Sequence, residues 1–160
     1  MTKNSASPSE AAKQFQIAND LACQGNWSSA EDLYRQLASS SPPNARLHYN
    51  WGIALRELGR LDEAVVQFEQ SILQNPAYAS AYLGLCQTYR ALGSSDAARI
   101  AIQLAIDSAP QSAALKLEKI DLLIEMGAIP DALESADQIE RGSPGYANAQ
   151  NLKGLALRRR

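Results

Sequence analysis

Few side chains in this sequence are of a kind that could carry out a reaction, and none stands where a neighbour would activate it. His48 is the one histidine in 160 residues, so neither a second imidazole nor a cysteine cluster completes a metal set. Cys23 and Cys86 are isolated from one another and are not expected to bridge. Glu118, Asp121 and Glu125 fall at spacings of three and four, which lines them on one helix face. Such a run reads as a solvated acidic face rather than a cation site. Ser39 to Ser41 sit in a turn before Pro42-Pro43 and need no active-site explanation. Each glycine is accounted for by a helix end or a close helix contact, so no phosphate-cradling loop is present. The sequence implies no catalytic residue, no metal and no cofactor, and reads as that of a non-enzyme.

Composition narrows the partners. A net charge of −2 makes no electrostatic case for DNA or RNA. The terminal Arg158-Arg159-Arg160 reads as a solvated end. No apolar stretch approaches the length of a membrane span, so no membrane partner is expected. The first residues, Met1 to Pro8, lack the apolar core of a signal peptide, and residues 1–9 are expected to form a short disordered lead. Two isolated cysteines without an export signal suggest the reducing cytoplasm.

The elements that position these residues are set by a period of 34 residues. Gly25, Gly59, Gly93 and Gly127 form one column, Ala30, Ala64, Ala98 and Ala132 a second, and Pro42, Pro76, Pro110 and Pro144 a third. A period of this size means a solenoid of stacked units, none able to bury its apolar face alone. Within one period, Leu47, Trp51, Ala54, Leu55 and Leu58 make a helical stripe that Gly59 ends. Leu61, Ala64, Val65, Phe68 and Ile72 make the partner helix, stopped at Asn75-Pro76. Gly52 and Ala64 are small because two antiparallel helices approach there, and Cys86 and Ala98 repeat the pairing. His48 recurs as Tyr82, which marks it as a packing position. Ser7-Pro8-Ser9-Glu10 and Ser28-x-x-Glu31 read as capping boxes opening the first two helices.

The second unit carries His48-x2-Trp51-Gly52-x2-Leu55, Gly59, Ala64-x3-Phe68 and Pro76, and the third Tyr82-x2-Leu85-Cys86-x2-Tyr89, Gly93, Ala98-x3-Ile102 and Pro110. Both closely resemble the tetratricopeptide repeat. The resemblance implies an all-α, right-handed α-solenoid of antiparallel helix hairpins. Units fall at about 11–44, 45–78, 79–112 and 113–146, with a partial fifth unit or capping helix over 147–160. The fourth unit departs most: Lys116 and Lys119 stand where large apolar residues belong, and Ile120 where a small one is expected. It is therefore expected to be the least stable.

In proteins this sequence resembles, the first helices line a concave groove that holds peptides. By register that groove contains Phe15 and Asn19, then Arg46, Tyr49, Asn50, Ile53 and Arg56, then Leu83, Gly84, Gln87 and Arg90, then Leu117, Glu118, Asp121 and Glu125. The column Phe15, Tyr49, Leu83, Leu117 reads as a ligand floor, and Gly84 as space beside Leu83 for a bulky partner side chain. Arginines in the middle and acids after them suit a partner with an acidic and a basic segment flanking an apolar anchor. The expected function is a protein-interaction scaffold for a protein or peptide segment. A clamp for the C-terminal carboxylate of heat-shock chaperones is rejected: Asn19 and Asn50 match it, but its basic positions hold Phe15, Ser80 and Gly84. Because the sequence ends one helix into a fifth unit, it also reads as the front of a larger, transferase-type enzyme. A secretion chaperone is the weaker rival. The open C-terminal end is a candidate surface for self-association.

Overall fold

The computed structural model describes residues 8–40, 42 and 44–158. Nine α-helices and no strands are found among them. They are α1 (Pro8–Cys23), α2 (Trp27–Ser40), α3 (Ala45–Glu57), α4 (Leu61–Gln74), α5 (Ala79–Ala91), α6 (Ser95–Ser108), α7 (Ala113–Glu125), α8 (Ile129–Asp137) and α9 (Tyr146–Arg158). Each helix packs on the next in sequence, giving a helical-repeat solenoid. The expected disordered lead falls mostly on residues 1–7, outside the described ones, and α1 already begins at Pro8.

The hairpin of α3 and α4 shows how the sequence builds a unit. Asn44 caps α3, its side-chain oxygen accepting from the amides of Arg46 and Leu47 at 2.9 and 3.3 Å. At the other end Gly59 takes φ +75°, which lets its amide reach Arg56 and the Arg60 amide reach Leu55, both at 2.9 Å. Gly25, Gly93 and Gly127 adopt the same geometry. Ala64 is fully buried against the first helix, as are Ala30 and Ala98. Ser71 ties the pair again, its hydroxyl donating to the Ala45 carbonyl at 2.7 Å.

There is no single core. Ala18, Ala30, Tyr34 and Ala54 form one cluster, a larger one centres on Leu55, Phe68 and Ile102, and a third gathers Ile120, Leu123, Ile124 and Ile129 with α8 and α9. The third cluster answers the lysines of the fourth unit. Ile120 is fully buried where the other units have a small residue, and α7 buries Leu115, Leu122, Leu123 and Ile124 besides.

The second capping box is not formed. Helix α2 begins at Trp27, so Ser28 lies inside it, and the buried Glu31 points into the junction between units. There it accepts from Arg35 Nε at 3.2 Å and Trp51 Nε1 at 3.1 Å, and faces Arg60 at 3.5 Å. Ser7, of the first box, lies outside the described residues. Among the described residues, no helix is long and apolar enough to cross a membrane.

Two outcomes follow. Ala64→Leu or Ala98→Leu overfills a closed contact and should cost about 1–3 kcal/mol. Gly59→Ala or Gly93→Ala, with open space around the site, should cost about 1 kcal/mol through the positive φ alone. Urea midpoints rank the four, and neutral leucine variants would refute the contact.

Burial alone would raise the Glu31 carboxyl, but hydrogen bonds from Arg35 and Trp51, with the charges of Arg35 and Arg60, outweigh it and hold the group below its usual 4.5. A depressed folded value stabilises the fold fully above the unfolded pKa and is lost as pH falls through the folded one. Acid unfolding below about pH 4.5 should therefore be shallower in Glu31→Gln than in the parent. Equal slopes in a stability-versus-pH series would contradict this.

Candidate functional site

The face made by the first helices carries the residues singled out from register. The apolar column is half-buried at every position, and each member leans on a core. Phe15 tilts against Tyr34 at 6.1 Å between ring centroids, with the Arg46 guanidinium 5.7 Å above its ring. Tyr49 sits between Phe68, at 6.0 Å, and Tyr78, which meets it edge-on at 5.2 Å. Leu83 packs on the central cluster and Leu117 on the C-terminal one. Tyr78 was not among the sequence candidates, because it precedes α5 and no periodic column points to it. Half-burial leaves these side chains held against the cores and partly open.

Polar groups between these side chains are already ordered. Asn19 Oδ1 accepts from the Tyr34 hydroxyl at 2.9 Å and from Asn50 Nδ2 at 2.7 Å. Burial pushes the Tyr34 phenol up to about 12, so it stays a donor. Among the described residues, Asn19 Nδ2 and Asn50 Oδ1 keep no partner, leaving one donor and one acceptor. Arg56 donates to Gln87 Oε1 at 2.7 Å and pairs with Glu57 at 3.2 Å. Ile53 is half-buried against the central cluster.

Gly84 needs correction. It is buried, and a Cβ there would lie 2.5 Å from Phe68 Cε1. The room beside Leu83 is filled from within by the Phe68 ring and offers a partner nothing. The charge reading also changes. Arg90 reaches across from α5 to α7, to Glu118 at 2.5 Å, Asp121 at 3.2 Å and Glu125 at 2.9 Å. The acidic run is thus an ion-paired cluster rather than a solvated face, and Arg90 is not free for a ligand. What remains is a cationic end, Arg46 with Arg56, and an end where three carboxylates share one guanidinium.

His48 and Cys86 are structural. His48 Nδ1 bonds to Gln67 Oε1 at 2.9 Å, and its ring stacks on Trp51. Burial, with the nearby Glu118 charge, pushes the Cys86 thiol up to about 12, so it is no nucleophile. Among the described residues no group of His, Cys, Asp or Glu could hold a metal ion.

Comparisons with known proteins agree with the repeat. The family model described as tetratricopeptide repeat matches residues 15–78 and 49–113. The chain is 34% identical over 98 residues to the TPR repeat-containing thioredoxin TTL4 of Arabidopsis thaliana, covering 61% of this chain and 14% of that protein. Its fold is similar to the crystal structure of MamA protein, with TM-score 0.79 and 20% identity over 93% of this chain and 81% of that one. It is also similar to the first TPR of Spaghetti (RPAP3) bound to an HSP90 peptide, with TM-score 0.70 and 18% identity over 78% and 98% of the two chains.

The Phe68 contact can be tested directly. Helix propensity favours alanine over glycine by about 1 kcal/mol. Gly84→Ala should nevertheless destabilise, because overpacking here costs about 1–3 kcal/mol. Phe68→Leu in the same chain should relieve part of that loss, giving a coupling of about 0.5–3 kcal/mol in a double-mutant cycle read by denaturation. Strictly additive effects would show that the glycine is not required by the ring.

Proposed function

The chain belongs to the tetratricopeptide repeat family, and on that premise we propose that it is a non-catalytic scaffold that binds a segment of another protein across its first helices. The observation that carries this is the Tyr49 neighbourhood: a partly open aromatic held between Phe68 and Tyr78, with an unpartnered amide donor and acceptor close by in Asn19 and Asn50. An extended peptide offers a backbone N–H and C=O to match that pair. Arg46 and Arg56 draw the acidic end of the segment to the first half of the face, and the carboxylates around Arg90 draw its basic end.

A terminal-carboxylate clamp does not fit these residues. Asn19 Oδ1 is taken by Tyr34 and Asn50, and no cation stands at Phe15, Ser80 or Gly84. The likeness to a repeat domain holding an HSP90 peptide is one of fold. A second reading is favoured by the thioredoxin relative, of which this chain spans 14%. There the repeats would bring a partner to a catalytic domain, and the same face would do the binding. Two free cysteines, Cys23 and Cys86, fit a reducing cytoplasm.

The test begins with capture of partners on the immobilised protein, followed by titration of a purified one. Tyr49→Ala should weaken binding by about 1–2 kcal/mol, the scale of an interface anchor. Arg46→Glu should act chiefly on association, slowing it and reducing its salt dependence. Circular dichroism establishes that both variants keep their helices. Parental affinity and rates in both would remove this face from consideration.

A further inference from the structure

One column plugs the wedge between successive units on the side of the second helices. In the second unit the plug is Trp51, which packs into two clusters at once and reaches Glu31 on α2. In the third it is Leu85, which is buried. In the fourth the plug is Lys119, whose amine leans on Gln103 Oε1 of α6 at 2.9 Å. Where the apolar plug is lost, a cleft of about 440 Å³ opens between α6 and α8. Its apolar surface is Ile100 and Leu104 of α6, which are 58% and 44% exposed, above the buried Leu123 of α7. Arg99 and Lys119 line it from α6 and α7, and Asp131 and Glu134 from α8. None of these four charges makes an ion pair among the described residues.

We infer that this cleft is a second docking site, for a short segment of a partner protein carrying a leucine-sized side chain between a carboxylate and a basic group. Charge complementarity selects the occupant. A carboxylate meets Arg99 and Lys119, a base meets Asp131 and Glu134, and the apolar side chain covers Ile100 and Leu104. This site is separate from the face of the first helices and does not depend on it.

The experiment uses methyl-resolved NMR of the full chain with a short acetylated, amidated peptide in which leucine is flanked by glutamate on one side and lysine on the other. Saturable shifts are expected at Ile100, Leu104 and Leu123. Lys119→Glu should raise Kd by about tenfold or more, and a peptide with its glutamate changed to lysine should recover binding to that variant. Lys119→Leu restores the plug, so it should abolish binding while thermal stability holds or rises. The proposal is overturned by absent or unsaturable binding, by shifts confined to Tyr49 and Leu83, or by parental affinity in both variants. Saturation of the same methyls by free leucine as strongly as by the peptide would also overturn it, in favour of a small-molecule pocket.

Discussion

Phe68 of α4 is fully buried within reach of two helices from different units. A Cβ at Gly52 of α3 would lie 2.9 Å from its ring, and one at Gly84 of α5 would lie 2.5 Å away. The same ring therefore closes the hairpin of its own unit and the joint to the next. Interiors packed to this density do not accommodate an extra methyl without movement. Tyr49, on the face of the first helices, rests on that ring, so the position of the candidate floor follows from the packing below it. A solenoid has only nearest-neighbour contacts. A residue that joins two units thus sets both local stability and the shape of the surface above.

Junctions between units are made in different chemistries, and the differences follow the side chains on offer. The first joint places a buried carboxylate, Glu31, among Arg35, Trp51 and Arg60. The second is apolar around Phe68. Across the third, α5 and α7 come less close than the first helices of neighbouring pairs, and Arg90 spans the gap with three carboxylates. Partly exposed ion pairs contribute only about 0.2–1 kcal/mol each, less than the burial of one large apolar side chain, about 1.5–3 kcal/mol. The third joint is accordingly the place where a loosened wedge, the Lys119 cleft, is found.

Helix ends, hairpin pairing and the small residues at close contacts were legible in the sequence, because each is dictated by a backbone angle or a volume that recurs every period. Register also located the face of the first helices. It misread Gly84, since a column describes a direction along one helix and not the side chain arriving from the preceding unit. Glu31 was misread for a related reason: a capping-box pattern is local, whereas its partners Trp51 and Arg60 belong to the following unit. The acidic run Glu118, Asp121, Glu125 looked solvated because Arg90, its partner, is about one period away. What the sequence hid were contacts between units, which periodicity cannot encode when the two columns vary independently.

At three of the four joints, however, the two columns change together. Tyr34 and Asn50 stand in the same relation as Phe68 and Gly84, and as Ala136 and Leu152. With a hydroxyl at its tip, Tyr34 joins a side-chain network containing Asn19 and Asn50. Phe68, without one, requires a residue with no side chain at all. Where the second helix supplies only Ala136, the facing position carries Leu152, and both belong to the C-terminal cluster. Volume and polarity are thus exchanged across these three joints, while at the remaining one Ile102 stands in that relation to Glu118, which turns to Arg90 instead. The consequence for binding is direct. Among the positions equivalent to Asn50, Gly84 and Leu152 are apolar and Glu118 is taken by Arg90, so the asparagine pair arises once, between the first and second units. On the proposed function, recognition along this face would be localised by the packing beneath it rather than spread evenly over the repeats.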